Sequence, residues 1–199
     1  MVATMTKPPP AKPPLGNRQV DTIRGQHHKF MLVPLMEQNT RWFNAGPVSI
    51  AVESRALGSE AFIIRGPSIH VFNASRTEEY LRFDVFGSVL HYHYILNDVN
   101  HNILWGYDPD LNGPMIPWVI AALRDRLPTL LRRAGANSLA VEVSESGWDA
   151  SVLIDVSKAA AEALAPGDDD LAKAKEGSEW MWQWKQVHPQ FNTVGEDEY

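Results

Sequence analysis

Between about residues 30 and 108 the chain is a series of short apolar runs set too close together to hold helices between them. The runs cover residues 30–33, 48–52, 61–64, 69–72, 80–86, 89–96 and 103–105. Gly46-Pro47, Gly58-Ser59, Gly66-Pro67, Asn73, Gly87-Ser88 and the polar stretch 97–100 separate them, residue types that favour turns and bends. Parallel neighbours need a crossover of a dozen or more residues, whereas antiparallel neighbours close through tight turns. The spacing therefore predicts an antiparallel β-meander.

The second half changes period. Ile116, Ile120, Leu123, Leu127, Leu130 and Ala134 recur every three or four residues, the apolar stripe of a helix. Arg132 and Arg133 suit its negative end and Gly135 its left-handed cap. Pro128 is predicted to kink or divide it. Strands are expected at 139–143 and 150–156, then an Ala-rich helix capped by Ser157 and ending at Pro166-Gly167. A last helix opens at Asp168-Asp169-Asp170 and runs to about Val187. Trp180, Met181, Trp184 and Val187 share its face, while the alternation of Trp180, Trp182 and Trp184 leaves one or two of them exposed or against a partner. The expected class is α+β, an antiparallel sheet packed against helices from the C-terminal half, with extended N- and C-terminal arms. Residues 1–29 read as a Pro-rich basic arm, 30–167 as one α+β domain, and 168–199 as an acidic, Trp-rich helix and tail.

Charge and composition narrow the function. The net charge of −6 argues against nucleic acid or an anionic membrane as the main partner. Residues 1–29 carry five Lys/Arg against one Asp, and residues 168–199 eight Asp/Glu against three Lys. These ends suit pairing within the chain or across a subunit interface, so a homo-oligomer or partner subunit is expected. No run approaches the length of a membrane span, the first residues lack the apolar core of a secretory signal, and a cytoplasmic location is expected. The absence of cysteine excludes disulfides, thiolate metal sites and cysteine nucleophiles. Gly-rich phosphate loops, H-E-x-x-H and G-x-S-x-G are absent from the sequence, which removes support for nucleotide, zincin and serine-hydrolase chemistry.

The chemistry concentrates in His91-Tyr92-His93. On a strand both imidazoles project from one face, giving two nitrogen ligands or a proton donor and acceptor on a stiff element. Asp98 and His101 lie just downstream, and His70 and Asp84 fall on expected neighbouring strands. The pattern is similar to the first motif of cupins but departs from it. Gly87 stands too close to His91, Asp98 replaces the usual Glu, and no later His motif follows, so no family is assigned on it.

A second motif, Asp108-Pro109-Asp110-Leu111-Asn112-Gly113, has the opening of a calcium loop. Its twelfth position is Val119 rather than Glu, so a helix-capping turn is favoured over calcium. A hairpin through 97–100 would bring Asp108 to the base of the histidine strand. The catalytic candidates are His91, His93, Asp108 and Tyr94. The metal-ligand candidates are His91, His93, Asp98, His101, Asp108 and Asp110, for a divalent ion among which Fe, Mn, Zn and Cu are not distinguished. Two functions follow: a metal-assisted or acid/base enzyme acting on a small-molecule substrate, or a non-catalytic subunit of an assembly held by its two arms.

Overall fold

The computed structural model describes residues 26–28, 35–60, 62–87, 89–99, 101–165 and 167–187. Most of the N-terminal arm, the run 30–33 and the tail after Val187 lie outside these residues. Among the described residues seven strands form one antiparallel sheet: β1 (Gln26–His28), β2 (Thr40–Ala45), β3 (Val48–Ser59), β4 (Phe62–Asn73), β5 (Glu79–Phe86), β6 (Val89–Leu96) and β7 (His101–Gly106). Their order, β1-β7-β6-β5-β4-β3-β2, makes β2 to β7 a meander, with β1 added beside β7. Helices α1 (Pro109–Asn112), α2 (Met115–Arg133), α3 (Asn137–Ser146), α4 (Leu153–Leu164) and α5 (Asp170–Val187) follow. The molecule is thus α+β, an antiparallel sheet with packed helices.

Turn chemistry sets the register. Ala45 pairs with Val48 across Gly46-Pro47, and Gly46 has φ +78°, a conformation that suits a two-residue hairpin. Phe86 pairs with Val89 across Gly87-Ser88. Residues 62–64 and 69–72, from two runs separate in the sequence, belong to the single strand β4, and residue 61 lies outside the described residues. Gly66 bends this strand without ending it: a Cβ there would run into the Val85 carbonyl oxygen of β5. Strand β2, with Trp42 and Phe43, was not anticipated.

Alternate residues of the sheet face the helices. Ile50, Ile69, Val71, Leu81 and Phe83 meet Val119, Leu123 and Leu127 in one apolar cluster. Each such side chain contributes about 1.5–3 kcal/mol on burial. Helix α2 runs unbroken, with Pro128 inside it, and Gly135 follows at φ +80°. Its buried stripe is rotated slightly from expectation, taking in Val119, Ala122 and Leu131, while Ile120 and Leu130 are half-buried.

Two expected strands are helical. Residues 139–143 lie in α3, where Leu139, Ala140 and Val143 are buried and Val141 is 45% exposed. That is a helical spacing, which a short apolar run does not reveal by itself. Residues 150–156 form a 3₁₀ turn, capped by Asp149, and the start of α4. Ser157 therefore lies inside α4 and does not cap it. Helix α5 docks on β3, with Gly177 close to the Ala56 carbonyl and Ser178 Oγ accepting from Gly58 N–H at 2.7 Å. Trp182 is 61% exposed, whereas Trp180 and Trp184 are half-buried. Among the described residues no helix is long and apolar enough to cross a membrane.

Candidate metal centre

The strand residues that alternate with the apolar ones carry polar side chains, and most of these are buried. Glu53, Ser68, His70, Arg82, Asp84, His93 and Asn102 are each 3% exposed or less. Strand register explains why they meet. Directly paired residues share a face, and β5 and β6 pair Asp84 with His91 and Arg82 with His93, while β4 brings Ser68 opposite Asp84.

Asp84, His91 and His93 converge at the centre of this arrangement. Asp84 Oδ2 lies 3.2 Å from His91 Nε2 and 3.3 Å from His93 Nε2. One ligand atom from each residue falls within 4.8 Å of the other two. Ligands at ordinary zinc–nitrogen and zinc–oxygen distances in a tetrahedron stand about 3.3 Å apart, so the two measured edges suit a metal polyhedron. The outer atoms are already occupied: Ser68 Oγ–H donates to Asp84 Oδ1, and His93 Nδ1 lies 3.1 Å from Asn102 Oδ1. An amide oxygen only accepts, so Nδ1 carries the hydrogen and Nε2 keeps its lone pair. Orientation of a histidine through its second nitrogen is the usual support of a metal ligand.

The electrostatics agree. Burial pushes the Asp84 carboxyl up, but the His91 and His93 imidazoles and the Arg82 guanidinium outweigh it and hold the group well below its usual range. Burial dominates at His93 and lowers its pKa despite the pull of Asp84. A neutral imidazole thus faces an ionised carboxylate. Among the described residues His93 Nε2 is buried without a hydrogen-bond partner, 3.3 Å from Asp84 Oδ2.

A ladder of charges continues from this cluster across the sheet. Glu79 of β5 binds Arg82 through two contacts, at 2.8 and 2.7 Å, and His70 Nδ1 at 2.7 Å. His70 Nε2 reaches Glu53 Oε2 at 3.4 Å, and Glu53 is held by Arg55 at 2.6 Å and by the Met36 N–H at 3.0 Å. Burial raises Glu79, but Arg82 and His70 together bring it down to about 2. Burial lowers His70, but the Glu79 charge and hydrogen bonds to Glu53 and Glu79 leave it above its ordinary value.

The other residues singled out from sequence stand apart from the cluster. Strands β6 and β7 do form a hairpin, and the Tyr107 N–H donates to the Leu90 carbonyl at 2.8 Å. Asp108 nevertheless caps α1, its Oδ1 accepting from the N–H groups of Asp110 and Leu111 at 2.9 and 3.3 Å. The loop 108–113 is therefore a helix cap, and Asp110 is exposed in the first turn. Asp98 is exposed in the 3₁₀ turn after β6. His101 pairs with Leu96 at the opposite end of the hairpin from His91. Tyr94 belongs to the helix-facing core, with Arg133 4.8 Å above its ring. The carboxylate beside the histidines is that of Asp84, noted from sequence only as a neighbour. Its signal was the turn Gly87-Ser88: a two-residue hairpin there pairs residue 84 with 91 and 82 with 93. Ser68 and Asn102 had no signal of their own.

No curated protein and no solved structure matches the chain. Residues 42–160 match the domain of unknown function DUF7700, a span that contains the triad, Ser68 and Asn102 and leaves out α5. Because the match covers more than half of the sequence, the chain belongs to the DUF7700 family.

Proposed function

We propose that this protein binds a divalent transition-metal ion through Asp84, His91 and His93 and uses it to act on a small molecule. One observation carries the reading. Three ligand atoms converge within 4.8 Å of one another, two of the separations at metal-polyhedron spacing, while Ser68 and Asn102 engage the outer atoms of two of the ligands. Two nitrogens and a carboxylate oxygen suit Fe, Mn, Zn or Cu better than calcium or magnesium. Three protein ligands also fit catalytic centres, which keep a position for substrate, better than closed structural ones. Such an ion polarises a substrate oxygen or lowers the pKa of a bound water.

The chain's own residues supply the rest. Ser68 orients the Asp84 carboxylate, Asn102 fixes the tautomer of His93, and Arg82 favours the ionised form of Asp84. His91 has 17% of its side chain exposed and is the ligand nearest to solvent. A second reading, a metal-free acid/base cluster, draws on the 3.2 Å approach of His91 Nε2 to Asp84, which is also hydrogen-bond distance. Elemental analysis of the wild type beside a His91→Ala/His93→Ala double variant separates the two. Near-stoichiometric metal in the wild type alone supports the metal reading. Metal in neither leaves the acid/base cluster.

A further inference from the structure

The approach to the triad depends on what stands beside His91. Gly106 of β7 pairs directly with His91, so a side chain there would rise from the same face about 4.5–5.5 Å away. The backbone does not require glycine at this position. Gly106 is not among the residues of positive φ, and among the described residues a Cβ built on it meets nothing within 4 Å. Gly106 ends β7, and a glycine in a strand is one of the places where a ligand can approach the backbone closely. On the other side the Phe86 ring meets the His91 ring edge-on, with centroids 6.2 Å apart, and Asp84 and His93 are buried beneath. His91 keeps 17% of its side chain exposed, and Gly106, itself exposed, stands directly across the strand pair from it.

We propose that Gly106 keeps clear the passage by which a small monoanionic oxygen donor, a carboxylate for example, reaches the ion held by Asp84, His91 and His93. The inference rests on the metal reading above. Its charge preference follows from the ligands. Two neutral imidazoles and one carboxylate leave a divalent ion with one net positive charge, which a monoanion neutralises. The nearest buried cation, Arg82, is already bound to Glu79 by two contacts.

The test loads the full chain with cobalt(II), follows its visible absorption, and titrates azide as a monoanionic probe. The wild type should take up cobalt and change its spectrum with azide. Gly106→Val, a residue well suited to a strand, should keep cobalt stoichiometry and circular dichroism while azide binding weakens by about tenfold or more, with Gly106→Ala in between. Equal azide affinity in all three proteins overturns the role of Gly106. A cobalt-loaded wild type that ignores azide overturns the open passage while leaving the metal centre standing. A wild type that takes up no cobalt overturns the metal reading and this inference together. If only the valine variant loses cobalt, the alanine variant decides by the same criterion.

Discussion

One sheet presents two buried faces held together on opposite principles. Toward the helices, Ile50, Ile69, Val71, Leu81 and Phe83 pack against α2 in one apolar cluster. On the other face, Glu53, His70, Glu79, Arg82, Asp84, His91 and His93 hold one another through specific contacts across four strands. Apolar burial stabilises roughly in proportion to area, and many side chains can satisfy it. Buried ion pairs do little better than break even against desolvation, and apolar residues of like volume often replace them without loss. Stability therefore accounts for the first face and gives no reason for the second. The metal reading gives a reason for Asp84, His91 and His93, because a ligand set needs the charges that packing alone would discard.

The comparison can be broken most sharply at Arg82. Arg82→Ala leaves the buried Glu79 carboxylate without its guanidinium and should cost about 3–5 kcal/mol, read from denaturant unfolding. A loss below about 1 kcal/mol would mean that this face behaves like a surface ion pair. On the apolar face, Leu127→Ala should cost about 2–5 kcal/mol through the cavity it leaves. Metal bound per folded molecule should not change in that variant, and a parallel fall in metal would show that the faces are not independent. Asn102→Leu should leave the fold intact and weaken metal affinity by about 10–100-fold, measured by competition with a chelator. Unchanged affinity would remove Asn102 from the site.

The mildest effect is the pH dependence of the ladder. Glu79 is lowered to about 2, so its contribution is present above the ordinary value of 4.5 and is lost as pH falls toward 2. His70 is raised and is faced by Glu53 of β3 and by Glu79 and Arg82 of β5. Its contribution is full below the ordinary value of 6.5 and is lost as pH rises through its higher folded value. Unfolding midpoints should thus fall on both sides of a plateau near pH 4.5–6.5, and Glu79→Gln should flatten both limbs. An unaltered profile in that variant would exclude the His70–Glu79 pair as the source.

Much of this fold was legible because turns and spacing are local. The bounds of β6, residues 89–96, and the existence of α2 follow from period and punctuation alone. Residues 139–143 and 150–156 read as strands because a mostly apolar stretch of five to seven residues, interrupted only by Glu142, Ser151 and Asp155, fits both periods, and burial distinguishes them. The histidine pair was legible from the period of two. Its carboxylate required register: Asp108 is near in sequence, but the pairing across Gly87-Ser88 sets Asp84 opposite His91. The burial of the polar face was not legible at all, since alternation of polar and apolar residues usually marks a face in water.

Thermal unfolding of the metal-stripped wild type and of Asp84→Asn, each with and without added zinc or cobalt, tests the central claim most directly. Metal at about 100 times its dissociation constant should stabilise the wild type by about 2.7 kcal/mol, a rise of about 5–10 °C for a chain of this size, and leave Asp84→Asn unmoved. A wild type whose transition ignores both metals, or a variant that shifts as much as the wild type, would contradict the assignment of Asp84, His91 and His93 as a metal centre.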